Sequence, residues 1–85
     1  MIQVRVLGHI KTSLGAGELE LEGDGLSPAE LVDLLRKMSR EKDPGFDRNN
    51  TLTVIGDGEA FLTASSGRRF TSGDRVVLIP FSHGG

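Results

Sequence analysis

The chain has 85 residues, a mass of 9.1 kDa and a formal net charge of −2, with 36% hydrophobic and 26% charged residues. It has no Cys, which excludes disulfides, Cys-ligated zinc and a thiol nucleophile. No apolar run approaches the ~20 residues of a membrane helix, the start carries no signal-peptide core, and the mild acidity argues against direct nucleic-acid binding. One small, soluble, cytoplasmic domain is therefore expected. Gly supplies 12 of the residues, about twice the usual share of ~7%.

Residues 2–7 read Ile-Gln-Val-Arg-Val-Leu, and Ile2, Val4 and Val6 share one face at period two, which predicts a half-buried strand. Residues 8–17 read as a glycine-punctuated connection with a turn at its tip. Residues 18–22 alternate Glu with Leu, so Leu19 and Leu21 face a core and three carboxylates face water. The two strands suggest an antiparallel hairpin.

After Gly23-Asp24-Gly25, Ser27-Pro28-Ala29-Glu30 is a helix start: Ser27 caps, Pro28 fits the first helical position and Glu30 completes a capping box. Leu31, Leu34, Leu35 and Met38 form one apolar stripe, Asp33 and Lys37 an i,i+4 ion pair, and Asp43-Pro44-Gly45 a stop. Phe46 anchors a polar loop. Residues 51–55 are a third strand, Gly56-Asp57-Gly58 a turn, residues 59–64 a short fourth strand carrying Phe61 and Leu62, and Phe70 a core anchor. Thr71-Ser72-Gly73-Asp74 is a second tight turn. Residues 75–81, Arg-Val-Val-Leu-Ile-Pro-Phe, are apolar on both parities, as in a central strand covered on both faces. The first strand, running parallel, is its simplest neighbour. The expected fold class is α+β, a mixed sheet of four to five strands packed on one helix. Residues 1–81 form the domain, and residues 82–85 a flexible tail.

The usual chemical motifs fail. Gly15-Ala16-Gly17 and Gly56-Asp57-Gly58 neither open a helix nor continue to a third Gly, so they are turns and not phosphate loops. Glu18, Glu20, Glu22 and Asp24 lack the carbonyl ligands and bend of a calcium loop and read as a solvated face; no metal site is expected. His9 and His83 have no evident triad partners. A chain this short leaves little room for a substrate cleft of ~300 Å3 or more. Arg68-Arg69 reads as a solvated loop, with an acidic partner patch as the alternative.

The pair Gly84-Gly85 lies just beyond a strand rooted in the core, after Ser82 and His83. An α-carboxylate has a pKa of ~3.3–3.7, is ionised at neutral pH and must be activated to react. Residues without Cβ can thread a narrow channel and admit close backbone approach. The chain has no nucleotide loop, so activation comes in trans.

Two stretches carry a family resemblance. One is residues 20–35, Glu-Leu-Glu-Gly-Asp-Gly-Leu-Ser-Pro-Ala-Glu-Leu-Val-Asp-Leu-Leu; the other is residues 72–80, Ser-Gly-Asp-Arg-Val-Val-Leu-Ile-Pro, followed by Gly84-Gly85. Across essentially its whole length the chain resembles the ubiquitin-like β-grasp sulfur carriers and small protein modifiers. That family includes the molybdopterin synthase small subunit, the thiamine sulfur carrier, the ubiquitin-related modifier and archaeal small modifiers. Molybdopterin synthase small subunits often show Asn-Gly where this chain has Gly56-Asp57-Gly58. The His83-Gly84-Gly85 ending looks more like the ubiquitin-related modifier.

The resemblance implies a carrier or modifier and not an enzyme. A ubiquitin-activating-type adenylating enzyme, using MgATP, forms an acyl-adenylate on Gly85. The chain itself holds no cofactor. A persulfide sulfur donor then makes a thiocarboxylate, whose sulfur goes to a cofactor precursor such as molybdopterin or thiamine, or to tRNA thiolation. In dual-function members the terminus instead forms an isopeptide bond with a target lysine; Lys11, Lys37 and Lys42 are self-acceptors of that kind. The partner surface is expected beside the tail root, at Phe81, Phe61, Leu62 and His83. The alternatives are a dedicated molybdopterin synthase small subunit bound to the large subunit, and a non-covalent β-grasp interaction module.

Overall fold

Alternation of Ile2, Val4 and Val6 with Gln3 and Arg5 makes β1 (Ile2–Val6) a strand with one buried face. In the computed structural model, which describes residues 1–81, a helix α1 (Gly8–Leu14) follows it directly. Then come β2 (Glu18–Leu21), α2 (Pro28–Met38), β3 (Thr51–Ile55), β4 (Ala60–Leu62), a 3-10 turn at Thr63–Ser65, and β5 (Arg75–Pro80). The expected tail, with His83, Gly84 and Gly85, lies outside the described residues.

The sheet order is β2-β1-β5-β3-β4. β1 runs parallel to β5, with Val4 opposite Val76 and Val6 opposite Leu78. Every other neighbouring pair is antiparallel. The last strand is therefore central and lies beside the first, as its apolar run predicts.

α2 begins with the expected capping box: Ser27 Oγ accepts from the Glu30 N–H at 3.2 Å, and a Glu30 carboxylate oxygen accepts from the Ser27 N–H at 2.9 Å. Its buried residues are Pro28, Ala29, Leu31, Val32 and Leu35. The apolar face is rotated from the predicted stripe, because Leu34 is half-buried and Met38 is 44% exposed. Leu31, Val32 and Leu35 join Ile2, Val4, Val6, Val76 and Leu78 in one core, and the loop anchors Phe46 and Phe70 are fully buried in it. Asp33 pairs with Arg48 from the following loop and not with Lys37.

The connection at residues 8–17 is a correction, since it contains α1. This helix has no side-chain cap at its start, and Gly15 closes it in the left-handed region at φ +73°, its N–H bonding the Lys11 carbonyl at 2.9 Å. Tertiary contacts hold it. Ile10 is fully buried, and Ser13 Oγ donates to Glu41 at 3.0 Å. The same contacts explain why α2 stops at Met38, before Asp43-Pro44-Gly45. The chain beyond it turns so that the Arg40 N–H reaches the Ser13 carbonyl at 3.2 Å.

Candidate functional site

Each sheet pairing puts opposite residues on one face, so the register identifies the face turned away from α2. Glu18 and Glu20 of β2, Gln3 and Arg5 of β1, and Arg75 of β5 make its charged half. Val77 and Ile79 of β5, Leu52 and Val54 of β3, and Ala60 and Leu62 of β4 make its apolar half. β5 thus buries one side fully and the other only by half: Val76 and Leu78 are 2% and 0% exposed, whereas Val77 and Ile79 are intermediate. This corrects the prediction of a strand covered on both faces.

An open concavity of about 550 Å3 lies over the charged half, lined by Gln3, Arg5, Glu18, Glu20, Gly56 and Arg75 among others. It is larger than the length of the chain suggests. An exposed ion pair, Arg5 to Glu18 at 2.8 Å, spans part of it.

The apolar half runs to the root of the final segment. Leu52 lies opposite both Ile79 and Leu62, and Phe81 follows β5 directly. Leu62 is 53% exposed, Phe81 36% and Leu7, at the end of β1, 40%. Phe81 and Leu62 therefore stand where a partner can touch them. Phe61 does not fit that expectation, because it sits opposite Thr53 and packs against the core. Leu52, Val54, Val77 and Ile79 complete the patch and were absent from the expected surface. Their signal was present in the sequence: when both parities of a strand are apolar, one parity must occupy the second face.

The remaining candidates separate from this surface. His9 lies exposed on α1. Gly56-Asp57-Gly58 forms the β3–β4 turn, with the Gly58 N–H on the Ile55 carbonyl at 2.8 Å. Arg68 and Arg69 are engaged by the chain itself: Arg68 bonds Glu59 at 3.1 Å, and Arg69 bonds the Gly25 carbonyl at 2.6 Å and Glu30 at 3.2 Å. The Glu30 carboxyl is held below the usual carboxylate range, first by the Ser27 N–H and then by the Ser27 hydroxyl, with Arg69 adding to the effect. Among the described residues no group of three His, Cys, Asp or Glu is arranged to hold a metal, and no helix is long and apolar enough to cross a membrane.

A five-stranded mixed sheet in this order, with a helix laid across one face, defines a ubiquitin-like β-grasp. Two solved structures of small archaeal modifier protein 1 from Haloferax volcanii share the fold. One is 18% identical, with a TM-score of 0.61, and covers 99% of this chain and 98% of its own. The other is 16% identical, also at 0.61, covering 95% and 97%. The likeness is one of fold. No family model matches the chain, and no curated protein does.

Proposed function

We propose that the chain is a ubiquitin-like sulfur carrier or protein modifier that reacts through the carboxylate of Gly85 after activation in trans. One observation carries this reading: the apolar half of the outer sheet face is continuous with Phe81, four residues before Gly85 in the sequence. A β-grasp body with an apolar docking face beside its final segment suits presentation of that segment to another protein's active site. The full-length likeness to small archaeal modifier proteins supports the same reading.

In the proposed cycle a Gly85 carboxylate oxygen attacks the α-phosphorus of MgATP in an adenylating enzyme, and pyrophosphate leaves. A persulfide sulfur then attacks the acyl carbon and AMP leaves. A thiol cleaves the resulting acyl disulfide to give the thiocarboxylate, which delivers sulfur to a cofactor precursor or a tRNA base. Alternatively a lysine amine attacks the adenylate, AMP leaves, the nitrogen loses a proton and an isopeptide bond forms. Lys11, Lys37 and Lys42 are exposed and suit this role on a second copy.

The test is incubation with the cognate adenylating enzyme, MgATP and a persulfide donor, read by intact mass. Replacement of one oxygen by sulfur, or a lysine conjugate, supports the proposal. An unchanged mass with a demonstrably active enzyme contradicts it.

A further inference from the structure

Pro80 and Phe81 are gripped from two sides, by the β1–α1 bend and by the segment that enters β3. On one side stands Gly8, exposed and at φ +58°. A methyl there would lie 2.9 Å from Cγ of Pro80 and 3.6 Å from its Cδ. Gly8 therefore lets the β1–α1 bend close directly onto Pro80. On the other side Thr51 lies opposite Pro80, and the Phe81 N–H donates to the Asn50 carbonyl at 3.0 Å. Pro80 has no N–H, so this bond continues the ladder beyond it.

Asn50 is itself locked in place. Its Oδ1 accepts from the Asp47 N–H at 2.8 Å, and its Nδ2 donates to the Gly45 carbonyl at 3.0 Å. A loop side chain thus fixes the carbonyl that holds Phe81.

Four residues beyond Phe81 span at most ~13–14 Å when extended. With four residues between them, the place and direction of Phe81 limit the region that the Gly85 carboxylate can reach. We propose that Gly8 and Asn50 are positioning residues for the reaction of Gly85, fixing the direction in which the chain leaves the sheet. The inference rests on the carrier or modifier reading above. Docking of the outer face sets KM, whereas alignment of an already docked end enters kcat.

The experiment is ATP–pyrophosphate exchange with the cognate adenylating enzyme, yielding kcat and KM, with a melting temperature for each variant. The set is wild type, Gly8→Ala, Pro80→Ala, the Gly8→Ala/Pro80→Ala pair and Asn50→Ala. Gly8→Ala and Asn50→Ala are each expected to lower kcat about tenfold or more, with KM within about twofold of wild type. Pro80→Ala removes the Cγ that the new methyl meets. In that background Gly8→Ala should change kcat by less than about twofold, while its melting temperature stays lowered, because the left-handed backbone strain remains.

Equal Gly8→Ala effects on kcat in both backgrounds, or a kcat that follows melting temperature across the set, overturns the proposal. So does an Asn50→Ala variant with wild-type kcat. Absence of exchange by the wild type is a different failure: it removes the underlying reading and the positioning role with it.

Discussion

Leu62 stands directly opposite Leu52 across the β3–β4 pair, and both lie on the sheet face turned away from α2. Leu52 also faces Ile79 of the central strand, so the pair joins the edge of the sheet to the strand that leads into Phe81. This gives the outer face a direction, with charge at the β2 side and apolar surface at the side of the final segment.

The function of that surface can be separated from its stability. Leu62 is 53% exposed, so Leu62→Asp is expected to cost about 1–2 kcal/mol, through the lost pairing with Leu52 and the poor strand propensity of Asp, and to leave the protein folded. In the adenylation assay the same variant should raise KM about tenfold or more, as loss of an apolar anchor does. A KM equal to wild type would place docking elsewhere.

The first turn of α2 gives a second prediction. Ser27→Ala removes the cap on the Glu30 N–H and should cost about 0.5–2 kcal/mol in urea unfolding. A loss indistinguishable from zero would mean that the cap contributes nothing to this small fold.

Glu30 adds a pH dependence whose sign is fixed. Its folded carboxyl lies below the ordinary value of 4.5, chiefly through the Ser27 N–H. The unfolded chain therefore binds the proton more readily than the folded one. The stabilisation is present above pH 4.5 and is lost as pH falls through the depressed folded value. Glu30→Gln should show a shallower acid loss of stability than wild type. Parallel acid curves for the two proteins would assign the loss to other carboxylates.

Thr53 and Thr63 are both fully buried, and their hydroxyls share one hydrogen bond at 2.8 Å. Thr63→Val leaves the Thr53 hydroxyl without that partner and should cost about 1–3 kcal/mol. The double change Thr53→Val/Thr63→Val should be close to neutral, because neither desolvated hydroxyl remains. Additive losses in chemical denaturation would show that the pair is not coupled.

Much of this fold was legible in the sequence because its local signals agreed. The Ser27–Glu30 box and the Gly56-Asp57-Gly58 turn act over a few residues, and their geometry follows from residue type. The central place of β5 beside β1 was legible from its apolar run, although not from burial on both faces: Val77 and Ile79 are only half-buried, and the edge strand β4 is apolar on both parities too. α1 was hidden for a physical reason. Gly8, Thr12 and Ser13 are poor helix formers, and the helix is held by Ile10 in the core and by Ser13 on Glu41. The spacing of Ile10, Ser13 and Leu14 was the one local hint. Phe61 and Leu62 were not separable by composition. Register decides that Phe61 faces in and Leu62 faces out, and register is a long-range property. The Gly8–Pro80 approach joins residues 72 positions apart and leaves no trace in either neighbourhood.

Reaction at the Gly85 carboxylate is read by intact mass spectrometry. The protein is incubated with a candidate adenylating enzyme, MgATP and a persulfide donor, beside a variant lacking Gly85. The full chain is expected to gain the mass of one oxygen-to-sulfur exchange, or to appear as a lysine conjugate, while the shortened chain stays folded and unchanged. Full biological activity of the shortened chain, with no mass change in either protein, would contradict this expectation and leave a non-covalent interaction module.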